Sequence, residues 1–300
     1  MNPEPAAAID LGTNTALLLV ARRAADGSLD VVADECRTPR LGARLAALGS
    51  LDPDARERTI AVLSWFAQRL ERLGVARERT RVVGTAALRR APDARAFVDQ
   101  VRARTGLEVE ILPPEEEARL GLLAVTAEGA GPDVLVIDVG GGSTEIACSD
   151  LDLRQSVPVG AVVLTEACPS ARDFPRMLER AREEVRAFPA DLARERPVLA
   201  MGGTAVNLGC LVLGLERFDR ERAEGASVAT TQALRFAEEL ARAPIADRTR
   251  LPIETERALI LPAGLACLGA ALERLGAPGA AVTGRGLRHG VVRELLGAGA

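Results

Sequence analysis

The sequence predicts an α/β protein of two related domains that face each other, each a mixed sheet flanked by helices. Three observations point there. Strand-like and helix-like segments alternate along 300 residues, a length that suits one large or two ordinary domains. The segment Ile9-Asp10-x-Gly12-x-x-Thr15 recurs as Ile137-Asp138-x-Gly140-x-x-Ser143, each position 128 residues after its counterpart. A second pair follows in the same order, Gly84-Thr85-Ala86 and Gly203-Thr204-Ala205, each after a short apolar strand.

Taken in order, Ala7 to Asp10 and Ala16 to Ala21 flank a tight polar turn and read as a hairpin, with Val31 to Cys36 continuing the sheet. Asp52 to Leu73 is an amphipathic helix with Asp52 as its cap and Pro53 in the first turn. Arg81 to Val83 is a strand, APDARAFVDQVRARTG a helix ending at Gly106, and LEVEIL a strand. A helix starts within PPEEEARLGLLAV, and AEGAGPD is a natural boundary, so the domains are expected at 1–128 and 129–300, with the last helix packing back on the first domain. Beyond it the pattern restarts: Val134 to Asp138, a glycine turn, Thr144 to Cys148, then Val157 to Gly160. Asp173 to Arg196 is an Arg/Glu-rich helical region broken by Pro189, and Val198 to Met201 is a strand. The remainder reads as mainly helical.

Composition narrows the chemistry. With 48% hydrophobic and 27% charged residues the chain is a folded soluble protein, and a net charge of -4 argues against a dedicated nucleic-acid binder. Five scattered cysteines with no C-x-x-C pair read as reduced thiols without a zinc site. The N-terminus shows no basic, apolar signal segment, and the longest clean apolar run, Ala258 to Leu272, is too short to span a bilayer. We expect a cytoplasmic protein with no membrane and no nucleic-acid partner. Every basic residue other than His289, the single histidine, is arginine. That removes P-loop lysines, Schiff bases, histidine phosphorylation, multi-His metal sites and most Ser-His triads. What remains is carboxylates, Arg, hydroxyls, backbone amides and a borrowed metal.

In VIDVGGGSTEIA (Val136 to Ala147) a carboxylate ends a strand before a turn whose glycines let the backbone approach an anion closely. Thr13, Thr15, Ser143 and Thr144 add hydroxyl donors. An aspartate beside a phosphate site calls for a cation, and Asp138 with Glu145 suits Mg²⁺. The residues alone leave alternatives open. A Gly-rich hairpin is equally a structural turn. Arg89 and Arg90 could grip phosphate or simply be solvated charges at a helix end. Glu115, Glu116 and Glu117 stabilise a helix start whether or not one of them is catalytic. Arg285, Arg288 and His289 in GRGLRHG are either an anion-contacting loop or a C-terminal turn.

The motifs AIDLGTNT, GTAALR, PEEEARL, VIDVGGGSTE, PVGAVVLTE, GGTAVNL and GRGLRHG, in this order, resemble the exopolyphosphatase/guanosine pentaphosphate phosphatase (Ppx/GppA) family over essentially the whole chain. The broader pattern is similar to the actin, Hsp70 and sugar-kinase superfamily. The resemblance implies two facing actin-like (ribonuclease H-like) domains holding a phosphate or nucleotide between them. It implies that Glu117 deprotonates the attacking water and that Arg89 holds the phosphate being cleaved. Asp138 and Glu145 would bind Mg²⁺, or Mn²⁺ in its place. Gly140, Gly141, Gly142 and Ser143 would bind phosphate, with Asp10, Gly12, Thr13, Asn14 and Thr15 as the matching loop of the first domain. Gly202, Gly203 and Thr204 stand where the superfamily contacts a nucleotide.

Two departures matter. Pro114 replaces a glycine expected before the acidic trio, and the helical domain with a His-Asp pair that long members carry has no counterpart, so the short two-domain form is expected. The expected function is Mg²⁺-dependent exopolyphosphatase, releasing terminal phosphate from inorganic polyphosphate; the alternative is guanosine pentaphosphate (pppGpp) 5′-phosphohydrolase. A superfamily kinase is a further rival, with ADP as acceptor or regulator, and a non-catalytic actin-like sensor is disfavoured by the set Asp138, Glu145 and Glu117. We expect a homodimer.

Overall fold

The computed structural model describes residues 4–170 and 173–297. The chain divides into two compact units: the first takes in the chain up to Ala130 together with the segment from Leu287 onward, and the second is Gly131–Gly286.

In the first unit β1 (Ala6–Leu11), β2 (Ala16–Arg23) and β3 (Leu29–Arg37) form an antiparallel meander, and β4 (Thr80–Gly84) and β5 (Val109–Ile111) extend the sheet in parallel on the other side of β1. The strand order is β3-β2-β1-β4-β5. Strand side chains alternate between faces, so this sheet has two apolar faces to cover. Ala7, Ile9 and Leu11 join a core with Ile60, Leu63 and Phe66 of the helix Pro53–Arg72 and Phe97 of the helix Ala94–Thr105. Ala8 belongs to a separate cluster with Leu120 of the helix Pro114–Thr126 and Val291 of the helix Leu287–Leu295. Asp10 shares the alternation of Ala8 and lies on that second face. The helix from Pro53 begins as its sequence dictates: Asp52 accepts hydrogen bonds from the amides of Asp54 and Ala55 at 3.0 and 3.1 Å.

The second unit repeats the plan. β6 (Leu135–Val139), β7 (Thr144–Cys148) and β8 (Leu153–Val157) form the meander, β9 (Val198–Met201) pairs in parallel with β6, and β10 (Ser227–Ala229) and β11 (Gly279–Thr283) complete the order β10-β11-β9-β6-β7-β8. Its core joins Leu135, Ile137, Val139 and Ile146 to the apolar helix Leu261–Leu275. Val136 and Asp138 alternate to the opposite face. Among the described residues, no helix is long and apolar enough to cross a membrane.

Several expectations change. The third strand of the second meander is Leu153–Val157, not Val157 to Gly160. Pro158 has no amide to donate, and the Val159 amide turns back to the Val157 carbonyl at 2.8 Å, which ends the strand. The helix expected from Asp173 runs only Phe174–Val185, short of Pro189. The segment read as mainly helical contains β10 and β11. Gly279–Thr283 is a short run of mostly small apolar residues in mid-sheet, and such a run lacks the period that separates a buried strand from a buried helix. The second motif pair is also displaced: β4 and β9 pair with β1 and β6 so that Asp10 faces Val83 and Asp138 faces Met201. Gly202 rather than Gly203 therefore stands in the place of Gly84.

Candidate active site

The turns after β1 and β6 have the same backbone. The Gly12 amide donates to the Thr15 carbonyl at 2.9 Å, and the Gly140 amide to the Ser143 carbonyl at 3.0 Å. A Cβ on either glycine would lie 3.3 Å from that acceptor oxygen. Each turn is also tied back by its second carbonyl: the Gly42 amide donates to Thr13 at 2.9 Å, and the Val162 amide to Gly141 at 2.8 Å. Gly160, in PVGAVVLTE, packs against the second turn so closely that a Cβ there would lie 2.6 Å from the Gly140 carbonyl oxygen and 2.7 Å from the Ser143 amide nitrogen.

The first turn carries unpartnered donors. Thr13 and Asn14 are both buried, and Oγ1 of Thr13 and Nδ2 of Asn14 find no hydrogen-bond partner. Buried polar atoms are nearly always paired, so an unpaired donor couple in a glycine turn fits oxygens of an anionic ligand.

The second turn is flanked by two carboxylates. Asp138 and Glu145 stand directly opposite each other on β6 and β7, which brings their side chains to one face of the sheet. Glu145 is buried and accepts a hydrogen bond from the Ser156 hydroxyl at 2.7 Å, across the β7–β8 register. Behind Asp138 lies Gly202, with φ of +82°, where a Cβ would come 2.7 Å from Oδ1 of Asp138. Among the described residues, no three His, Cys, Asp or Glu side chains converge on one point. Mg²⁺ needs only one or two carboxylates when waters and phosphate oxygens complete its octahedron, so the Asp138–Glu145 pair fits it. Ser156 was not singled out from the sequence; only the strand register reveals it.

The catalytic candidates in the first unit meet. Arg89, in the helix Ala86–Arg90 beyond β4, donates from Nη1 to Oε2 of Glu117 at 2.6 Å and to the Leu112 carbonyl at 3.0 Å. Glu117 lies in the first turn of the helix Pro114–Thr126. Burial raises the Glu117 carboxyl above the ordinary glutamate range, and the Arg89 guanidinium opposes that rise without cancelling it. Glu116 points elsewhere: both its oxygens accept from Arg119 at 2.7 Å. Despite Pro114, it is thus Glu117 that meets Arg89.

The residues expected to contact a nucleotide are engaged within the protein. Thr204 is buried, with its hydroxyl on the Val139 carbonyl at 3.1 Å. A Cβ on Gly203 would overlap the guanidinium of Arg257. Arg257 in turn donates to Glu254 at 2.6 Å, and Glu254 accepts from Asn207 at 3.0 Å.

The model of the Ppx/GppA phosphatase family matches residues 19–298. The chain belongs to the Ppx/GppA phosphatase family. It is 31% identical over 301 residues to the guanosine-5'-triphosphate,3'-diphosphate pyrophosphatase of Photobacterium profundum, covering 97% of this chain but 59% of that relative. The chain thus spans well under two thirds of the length of such curated relatives. A crystal structure of the Aquifex aeolicus family member covers 99% of both chains at 29% identity with a TM-score of 0.79. A crystal structure of an exopolyphosphatase from Cytophaga hutchinsonii superposes with a TM-score of 0.85 over 98% of both chains, and at 20% identity it speaks for the fold alone. The two-sheet plan of this Ppx/GppA chain is that of these actin-like structures.

Proposed function

We propose that the chain hydrolyses a terminal phosphoanhydride, with guanosine 5′-triphosphate 3′-diphosphate as substrate. The observation that carries the reaction class is the Arg89–Glu117 contact, a partly buried carboxyl with raised proton affinity held against a cation at 2.6 Å. The names of the curated relatives favour the nucleotide over inorganic polyphosphate. One observation keeps polyphosphate as a second reading. Gly203 and Thr204 are covered or hydrogen-bonded internally, and polyphosphate asks for no nucleobase contact.

In the proposed step a water loses its proton to the Glu117 carboxylate as its oxygen bonds to the terminal phosphorus. The bond from that phosphorus to the bridging oxygen breaks, and the shortened phosphate leaves with the electron pair. Arg89 offsets the charge on the transferred group, while Thr13 and Asn14 donate to phosphate oxygens. Mg²⁺ or Mn²⁺, held by Asp138 and Glu145, would neutralise phosphate charge when bound.

The test is phosphate release from pppGpp, long-chain polyphosphate and ATP in the presence of Mg²⁺. Fastest release from pppGpp supports the first reading, fastest release from polyphosphate the second, and no release from any of them ends both. Glu117→Gln should lower kcat by about 10²–10⁴-fold while substrate still binds. The pH dependence has a defined sign. The base works only when ionised and its affinity for a proton is raised, so turnover is low in acid and climbs above the ordinary glutamate range. Arg89→Met removes the opposing cation and should push that limb to still higher pH; a limb that stays put contradicts the pairing.

A further inference from the structure

The segment from Leu287 closes against the parts of the first unit that hold Arg89 and Glu117. Leu287, Val291 and Val292 share one apolar cluster with Leu112 and Leu120. The carbonyl of Leu112 is the one that fixes Arg89, and Leu120 lies one helical turn beyond Glu117. The approach of the two helices is unusually close: a Cβ at Gly290 would overlap the carbonyl of Leu120. Four residues on, Glu294 draws in two arginines. Its Oε2 accepts from Arg81 at 2.6 Å and its Oε1 from Arg119 at 2.5 Å. Arg81 also holds Glu110 at 2.8 and 3.1 Å, and Arg119 holds Glu116, the neighbour of the proposed base. Arg293 pairs with Glu128 beyond the far end of the same helix.

We infer that the helix Leu287–Leu295 is a positioning element for the Arg89–Glu117 pair, acting through Gly290 and Glu294, an inference that rests on the reading of Glu117 as the base. Neither residue touches the substrate in this account. Gly290 sets how near the Glu117 helix lies to the helix Leu287–Leu295. Glu294 fixes its rotation by keeping Arg119, and with it Glu116, turned away from Arg89. A carboxylate at 2.6 Å from a guanidinium tolerates little displacement, and misplacement of about 1 Å in a catalytic group lowers turnover by about a hundredfold.

The experiment compares wild type, Glu117→Gln, Glu294→Gln, Glu294→Asp and Gly290→Ala in kcat, KM, pH profile and melting temperature. Glu294→Gln should lower kcat about tenfold with KM nearly unchanged and displace the acid limb of the profile, and Glu294→Asp should regain part of the rate. Gly290→Ala should lose about a hundredfold; where it does not fold, Glu294→Gln decides. A folded Glu294→Gln with unchanged kcat and acid limb overturns the inference, even with a lowered melting temperature, because a purely structural clamp would give that pattern. An active wild type with inactive Glu117→Gln and unaffected Glu294→Gln sinks this inference alone. A wild type that releases no phosphate sinks the functional reading and this inference with it.

Discussion

The hairpins β1–β2 and β6–β7 share a backbone and differ in what they present. Ile9 faces Leu18 and Asp10 faces Leu17 in the first; Ile137 faces Ile146 and Asp138 faces Glu145 in the second. The turn bond from glycine to the third residue on is the same within 0.1 Å, at 2.9 and 3.0 Å. Yet where the second hairpin sets two carboxylates side by side, the first sets one carboxylate against leucine. Where the second turn carries Gly141 and Gly142, the first carries Thr13 and Asn14 with unpartnered donors. The lesson is that one scaffold used twice has been divided by charge. Paired carboxylates suit a divalent cation, and side-chain donors suit phosphate oxygens.

Substitutions at matched positions break or sharpen this division. The largest effect is expected at the second hairpin: Asp138→Asn should cut turnover by at least about a hundredfold, since even the partners that orient metal ligands cost 10–100-fold when lost. Asp10→Asn, its counterpart, should cost distinctly less, and equal losses in a steady-state assay would erase the distinction. Next comes the glycine at the end of each neighbouring parallel strand, Gly202 after β9 and Gly84 in β4. Gly202→Ala combines a φ of +82° with a Cβ 2.7 Å from Asp138 and should destabilise the fold by about 1–3 kcal/mol in denaturant titration. Gly84→Ala has no positive φ, and its Cβ would meet the movable tip of Leu88 at 2.5 Å, so it should cost less. The smallest effect is at Thr13→Val, which deletes a buried, unpartnered hydroxyl. The free protein should keep or gain stability, whereas KM should rise several-fold, as expected on losing a hydrogen bond of about 1 kcal/mol. A fall in melting temperature without a change in KM would mean that the hydroxyl serves the fold.

Much of this was legible in the sequence because the repeat is local. The spacing Asp-x-Gly-x-x-Thr/Ser fixes a strand end and a turn within a few residues, and its recurrence announced the second sheet. The Asp52 cap and the Gly106 stop were legible for the same reason. What was not legible depends on register and tertiary contact. Ser156 supports Glu145 only because β8 pairs with β7 in one alignment, and Arg257 reaches Gly203 from a distant segment. The choice between Glu116 and Glu117 likewise needs tertiary contacts: Glu117 meets Arg89 from another helix, while Arg119, three residues from Glu116, is itself held by the distant Glu294. β11 is not legible in the sequence because its short run GAAVT carries no period of its own.

The division of charge is tested most directly by equilibrium Mn²⁺ titration, followed by electron paramagnetic resonance, of wild type, Asp138→Asn, Glu145→Gln and Asp10→Asn. The account predicts that the bound Mn²⁺ of wild type is lost in Asp138→Asn and Glu145→Gln and kept in Asp10→Asn. Loss of the ion in Asp10→Asn with retention in the other two would contradict it.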